Sequence, residues 1–334
     1  MYSVALSLPE LSSFTGRRGP CAICLYVDGA GGATPTGNVA HEFLAPEDNR
    51  YRRRMRMENS MIKMKVALVG CGNIGADLCI ALQKGNIPAV ISALTDVDRE
   101  RAYVLKRTFQ LRASVCSLDD AANKSDFLIE CAGAGAVKEV VEAAIEHKKD
   151  CLIMSVGALM SQPELLEQAR EHKVQVRIPS GALCGLDGVR AAMEAGLHSV
   201  VLTTRKPPKG LVGAPYLVEN QIDVENISEE MVVFEGNALE AVKAFPANVN
   251  VAGALSLMGM GPKETMVRVI ADPNALENSH QIVAEGAFGR LEATTRNLPS
   301  PRNPKSSYLA SLSACAELRN AAMDFILHDP DIPF

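Results

Sequence analysis

From Met64 onward, short apolar runs alternate with segments whose apolar residues recur every three to four positions. "MKVALV" (64–69) is a strand-like run, and the apolar residues Ile74, Leu78, Ala81 and Leu82 that follow have the spacing of one helix face. "SDFLIECAGAGAVKEVVEAAIEHKKDCLIMSVGAL" (125–159) then reads as strand, small-residue turn, helix and strand. "KVQVRIPSGALCGLDGVRAAMEAG" (173–196) adds a strand ending at Pro179–Ala182 and a further helix. Strands alternating with helices at these lengths predict an α/β domain over 61–185, built on a doubly wound parallel sheet. The pattern changes near Ser199. "HSVVLTTRKPP", "KETMVRVIADP" and "HQIVAEGAFGRLEATTRNL" are β-runs with fewer helices between them, the last of them strand, turn, strand. They predict a smaller α+β domain over 186–299. "NPKSSYLASLSACAELRNAAMDFIL" (303–327) predicts one long amphipathic helix within 300–334, returning to the first domain. Residues 1–60, rich in Gly, Pro, Thr and Ser and carrying Arg52, Arg53, Arg54 and Arg56, show no such pattern and are expected to be a poorly ordered extension.

The junction between the first strand and helix carries the first chemistry. Gly70, Gly72 and Gly75 make GxGxxG, with Asn73 and Ile74 in the same turn. The first glycine permits a tight turn, the second lets backbone amides approach a pyrophosphate, and the third lets helix and strand pack closely. Glycine-rich turns are common. This one has a strand before it and a helix after it, which makes it a Rossmann-type dinucleotide fingerprint. Asp96 follows about 20 residues later, where a carboxylate grips a ribose hydroxyl. The alternative for Asp96 or Asp98 is capping of the next helix. A carboxylate at this point favours NAD, whereas Arg99 and Arg101 just beyond it suit NADP, so both cofactors stay open. Cys131, Ala132 and Gly133 end another strand, where small residues let the backbone approach a dinucleotide. The α+β domain is expected to cover the nicotinamide end.

Composition narrows the partners. The chain has 334 residues, 47% hydrophobic and 22% charged, with a net charge of −5, which supplies no basic field for nucleic acid. No apolar run approaches the roughly 20 residues a membrane span needs. Nine cysteines, several within apolar runs, suit a reducing cytoplasm. Cys21 and Cys24 form the one CxxC, a weak zinc signal without a second pair, and no other spacing points to a metal.

His280 lies in "ADPNALENSHQI" (271–282). A lone histidine is more often structural than catalytic, and only its surroundings make it a base. Together with "GCGNIG" (70–75), "PSGALCGLDG" (179–188), "TRKPP" (204–208), "FPANVNVAGALSL" (245–257) and "NPKSS" (303–307), this segment resembles the L-aspartate dehydrogenase family, from Met64 to the last helix. The resemblance implies a catalytic role for His280 and nicotinamide contacts at Ala182 and Asn250. It also implies oxidation of L-aspartate to iminoaspartate, which hydrolyses to oxaloacetate and ammonia, in a route to NAD. An imidazole, with an unperturbed pKa of roughly 6.5, suits the proton transfer that accompanies hydride loss from Cα. Asp272 or Asn278 is expected to orient the ring. The substrate's two carboxylates need cationic clamps, for which Arg205, Lys206, Lys209 and Lys305 are candidates. Competing readings are a homoserine dehydrogenase-like or dihydrodipicolinate reductase-like enzyme, and a sensor that binds nicotinamide nucleotide without turnover. A homodimer is expected.

Overall fold

Strand β1 (Met64–Val69) has apolar layers against both of its faces, as its apolar run Val66–Val69 predicts for the interior of a parallel sheet. The computed structural model describes residues 63–246 and 250–327, without the side chains of residues 303–305 and 327. The expected extension 1–60, with Cys21 and Cys24, lies outside the described residues, and so does the Asn248 end of the NVN segment. All described residues belong to one unit, Arg53–Phe334. Its first sheet adds β2 (Ala89–Thr95), β3 (Ser114–Val115), β4 (Phe127–Glu130), β5 (Asp150–Ile153) and β6 (Val176–Arg177). All pairings are parallel, in the order β3-β2-β1-β4-β5-β6, the doubly wound order of dinucleotide-binding folds.

Alternation along β1 assigns the helices to two faces. Met64, Val66 and Leu68 pack with α1 (Asn73–Gln83), α2 (Arg99–Thr108) and the C-terminal helix α11 (Tyr308–Leu327). Ala67 and Val69 face α3 (Leu118–Asn123), α4 (Val137–Glu146), α5 (Val156–Met160) and α6 (Pro163–Glu171). Helix α11 places Ala314, Leu318 and Ala322, all fully buried, against the first face. Its outer side is tied to β6 by Arg177, which donates to Glu317 at 3.0 Å and Asp324 at 2.5 Å.

Helix α7 (Leu186–Met193) leads into a second, mixed sheet of β7 (Leu197–Lys206), β8 (Met231–Asn237), β9 (Thr265–Ala271), β10 (Asn278–Gly286) and β11 (Gly289–Asn297). Its order is β11-β10-β7-β9-β8, with only β7 and β9 parallel. One face is covered by α7, α8 (Pro215–Glu219), α9 (Ala238–Ala244) and α10 (Asn250–Met258). Tyr216, Phe234 and Phe245 meet there with ring centroids 5.3 to 5.9 Å apart. Helices α5 and α10 join the two halves: a Cβ on Gly253 would sit 3.1 Å from the Gly157 nitrogen, so the backbones touch.

The expected single helix over 303–327 is corrected. Residues Asn303–Ser307 form strand β13, antiparallel to β12 (Pro299–Ser300), and the helix starts at Tyr308. Pro304 has no N–H for a helix and disfavours helical backbone at Asn303, which leaves this stretch to the hairpin.

Leu318→Ala should lower stability by about 2–5 kcal/mol, the usual cost of emptying a fully buried leucine site. Chemical denaturation followed by circular dichroism measures it; a loss under about 1 kcal/mol would mean α11 is not part of the cooperative core.

Candidate active site

Pairing of β7 with β10 builds the chemical end of the molecule. The antiparallel register sets His280 opposite Thr204, and on its other side opposite Thr295 of β11. Val200, Leu202, Thr204 and Lys206 of β7 point to the core, so Thr204 and Lys206 share a face with His280, while Arg205 points the other way. Arg205 pairs with Glu230 and, at 3.3 Å, with Asp272. It does not line the cleft, contrary to its expected clamp role, because strand alternation sends it to the opposite face. Lys209 also lies outside the cleft wall, in the turn Pro208–Gly210. The Lys305 side chain lies outside the described residues.

His280 is buried, and its Nδ1 lies 3.1 Å from Thr204 Oγ1. The ring's partner is therefore Thr204 and not Asp272 or Asn278. Asp272 is taken up by Arg205 and the Asn274 amide, and Asn278 sits two positions along the same strand, roughly 7 Å away. Burial and then the Lys206 charge hold the imidazole neutral, with its pKa lowered to about 3. Burial lowers Lys206 to about 8. Ala182 is fixed by two donors to its carbonyl, Thr295 Oγ1 at 2.7 Å and Asn297 Nδ2 at 3.1 Å. Thr204, Thr295 and Asn297 escaped sequence reasoning. For Thr295 and Asn297 the signal is the hairpin register, since a strand-turn-strand over 278–297 with a Gly-rich turn fixes which residues oppose one another. Thr204 comes from the more distant strand β7 and has no such local signal.

A cleft of about 310 Å³ runs between the two sheets. Ile74, Cys131, Ala132, Gly133 and Ser155 form its nucleotide-sheet wall. Ala182, Lys206, Asn250 and His280 form the other, and Ser306 and Ser307 of the β12–β13 hairpin close a side. Asn250 also ties the walls together, accepting the Gly157 amide at 3.1 Å. The expected Ile74, Cys131, Ala132, Gly133, Ala182, Asn250, Lys206 and His280 thus converge on one space.

The glycine turn separates this cleft from a groove of about 550 Å³ that includes Cys71, Gly72, Asn73, Asp98, Arg101 and Arg302. Gly70 has φ +102°, and a Cβ there would lie 2.5 Å from the Ala132 nitrogen. A Cβ on Gly75 would lie 2.9 Å from the Gly70 carbonyl oxygen, whereas nothing lies within 4 Å of the Gly72 position. Two tight glycines and one open to solvent fit a turn that lets an elongated dinucleotide pass over its backbone. Asp96 lines neither space. Its carboxylate accepts the Cys71 amide at 2.7 Å and the Asp98 amide at 2.9 Å, which shapes the turn, and Asp98 caps α2. Among the described residues one group has metal-ligand proximity, Asp119, Glu146 and His147. It lies outside the cleft wall, with His147 Nε2 2.8 Å from Asp119 Oδ1. No helix among the described residues is long and apolar enough to cross a membrane.

Comparison with known proteins agrees with this division. Residues 187–321 match the family described as aspartate dehydrogenase, C-terminal, and residues 70–179 match the NAD-binding domain of homoserine dehydrogenase. The L-aspartate dehydrogenase of Methanosarcina mazei is 44% identical over 261 residues, 77% of this chain and 96% of that protein. That of Nitrosopumilus maritimus is 37% identical over 267 residues, 78% of this chain and 98% of that protein. The crystal structure of aspartate dehydrogenase from Thermotoga maritima superposes with a TM-score of 0.58 at 25% identity, covering 82% of this chain and 100% of that one. With that sequence agreement spread over nearly the whole length of those relatives, and the same two-sheet framework beneath it, the chain belongs to the L-aspartate dehydrogenase family.

Proposed function

We propose that this protein oxidises L-aspartate to iminoaspartate with NAD or NADP as hydride acceptor, and that the product feeds NAD biosynthesis. The observation that carries the reading is His280: a buried imidazole with one nitrogen fixed by Thr204, facing the cleft that Lys206 and the glycine turn share. The relatives' names supply the substrate, and the C-terminal family match favours aspartate over homoserine.

A bound nicotinamide would supply the acceptor for the hydride that leaves Cα of the substrate. The chain supplies the rest. Its glycine turn and the Cys131–Gly133 turn hold the nucleotide, with Ala182 and Asn250 at the nicotinamide end. Lys206 receives a substrate carboxylate. His280 takes a proton from the substrate's ammonium group through Nε2, while Nδ1–H donates to Thr204 Oγ1, an arrangement that remains sound after the imidazole is protonated. An imidazole at about 3 is too weak for this without a neighbouring negative charge. A carboxylate placed ~4 Å away is worth about 4 kcal/mol at an effective dielectric of 20, roughly a thousandfold in proton affinity. The dicarboxylate substrate thus creates the base that acts on it. Oxidation leaves the imine, which water hydrolyses to oxaloacetate and ammonia.

We infer a homodimer and a cytoplasmic protein as well. The first is supported by the outer face of the second sheet, where Val232 and Met266 are exposed, and the second by buried free thiols such as Cys79 and Cys151.

His280→Ala should lower kcat by about 10²–10⁴-fold with nucleotide binding kept, and Thr204→Val by about tenfold, since it leaves a buried ring nitrogen unpaired. Nicotinamide reduction with L-aspartate measures both, and full activity in His280→Ala would remove the histidine from the mechanism. Lys206 is charged below about 8 and neutral above it, so kcat/KM for aspartate should fall as pH rises through that value. Lys206→Arg should move the alkaline fall upward; an unmoved profile would mean another group is titrating. Gly72→Ala should fold normally yet weaken nucleotide binding, whereas Gly70→Ala should lose stability, a contrast that thermal melts and nucleotide titration test together.

A further inference from the structure

The run "FLIE" ends β4 with a glutamate in a place otherwise occupied by apolar side chains. Glu130 is fully buried, and four donors converge on its carboxylate. Oε1 accepts the Ala132 amide at 2.9 Å, the Gly133 amide at 2.7 Å and the Ser155 hydroxyl at 3.0 Å. Oε2 accepts the Ser155 amide at 2.8 Å. These contacts close the turn that holds Gly133 at φ +115° and tie it to the Ser155 end of β5. Ala132, Gly133 and Ser155 all line the cleft. The glutamate itself sits behind that wall.

We propose that Glu130 is a positioning residue of the nucleotide site, and that its buried negative charge makes the site prefer the oxidised nicotinamide over the reduced one. Three observations carry this. Both oxygens act as acceptors, to three N–H groups and one O–H, which is the pattern of an ionised carboxylate rather than a carboxylic acid. The charge lies in a low-dielectric interior, where its field is poorly screened. And oxidised nicotinamide carries a positive ring charge that the reduced form lacks, so a fixed anion behind the wall distinguishes them. Burial raises the carboxyl's pKa, and the four donors act against that rise. A side chain needed only to shape the turn would serve the two nucleotide forms equally.

The proposal rests on the cleft holding a nicotinamide nucleotide, and it is independent of aspartate being the substrate. Isothermal titration with NAD⁺ and with NADH separates the two questions, with aspartate turnover measured in parallel and folding followed by thermal melts. Glu130→Gln keeps the shape but removes the charge and turns an N–H₂ toward existing donors. It should weaken NAD⁺ binding by about tenfold more than NADH binding. Glu130→Asp keeps the carboxylate with one methylene less, and should retain the preference for NAD⁺ while both affinities fall. It is also the variant to use if Glu130→Gln does not fold. Equal loss of both forms in Glu130→Gln, affinities unchanged in it, or a preference lost in Glu130→Asp would each overturn the assignment. Wild-type protein that binds neither form would overturn the cofactor reading and this proposal together, while nucleotide binding without aspartate turnover would overturn only the substrate.

Discussion

Helices α5 and α10 meet backbone to backbone, and the cleft exists because they do. A side chain at Gly253 would strike Val156 and the Gly157 amide, so the absence of one lets two helices from different sheets come as close as the chain allows. That approach brings Asn250 within reach of the Gly157 amide and sets the nucleotide-sheet turns opposite the His280 face of the second sheet. A larger residue would push the walls apart. The lost distance would matter more for chemistry than for folding, since reactions between bound groups depend on separations of about 3–3.5 Å.

Within the cleft the electrostatics are arranged by burial. Lys206 and His280 share a wall, and desolvation, with the Lys206 charge added to it, keeps the histidine uncharged. On the opposite wall, backbone amides from two turns are gathered onto Glu130 instead of being left to water. Polar groups that would otherwise be costly to bury are satisfied, and the same contacts fix the surfaces that face the ligand.

The parallel sheet, the glycine turn and the strand-turn-strand at 278–297 were legible because each depends on local grammar: apolar runs, helix spacing, glycine placement. His280 was legible through the motifs around it. What the sequence left hidden depends on register between distant strands. Whether Arg205 or Lys206 faces the cleft is a matter of a single residue's parity on β7, and nothing nearby in the chain settles it. Thr204 as the partner of His280 follows from a pairing across 76 positions. Asp96, expected at the ribose, has its carboxylate holding the Cys71 and Asp98 amides, contacts that no spacing announces. Glu130 lies at the end of an otherwise apolar run, and its four donors come from two separate turns. At 303–307 the helix pattern that starts at Tyr308 hides the local break at Pro304, which leaves the stretch to a strand.

The last helix has a consequence for how the protein is made. The face of the nucleotide sheet formed by Met64, Val66 and Leu68 is covered in part by Ala314, Leu318 and Ala322 of α11. During synthesis, when domains generally fold from the N-terminal end first, that face stays partly bare until residues 308–327 have left the ribosome. The cover of the first sheet is therefore completed only after the second sheet has been made. A nascent chain cut short before α11 would leave an apolar surface open, and quality-control machinery that recognises such surfaces would meet it before any substrate did.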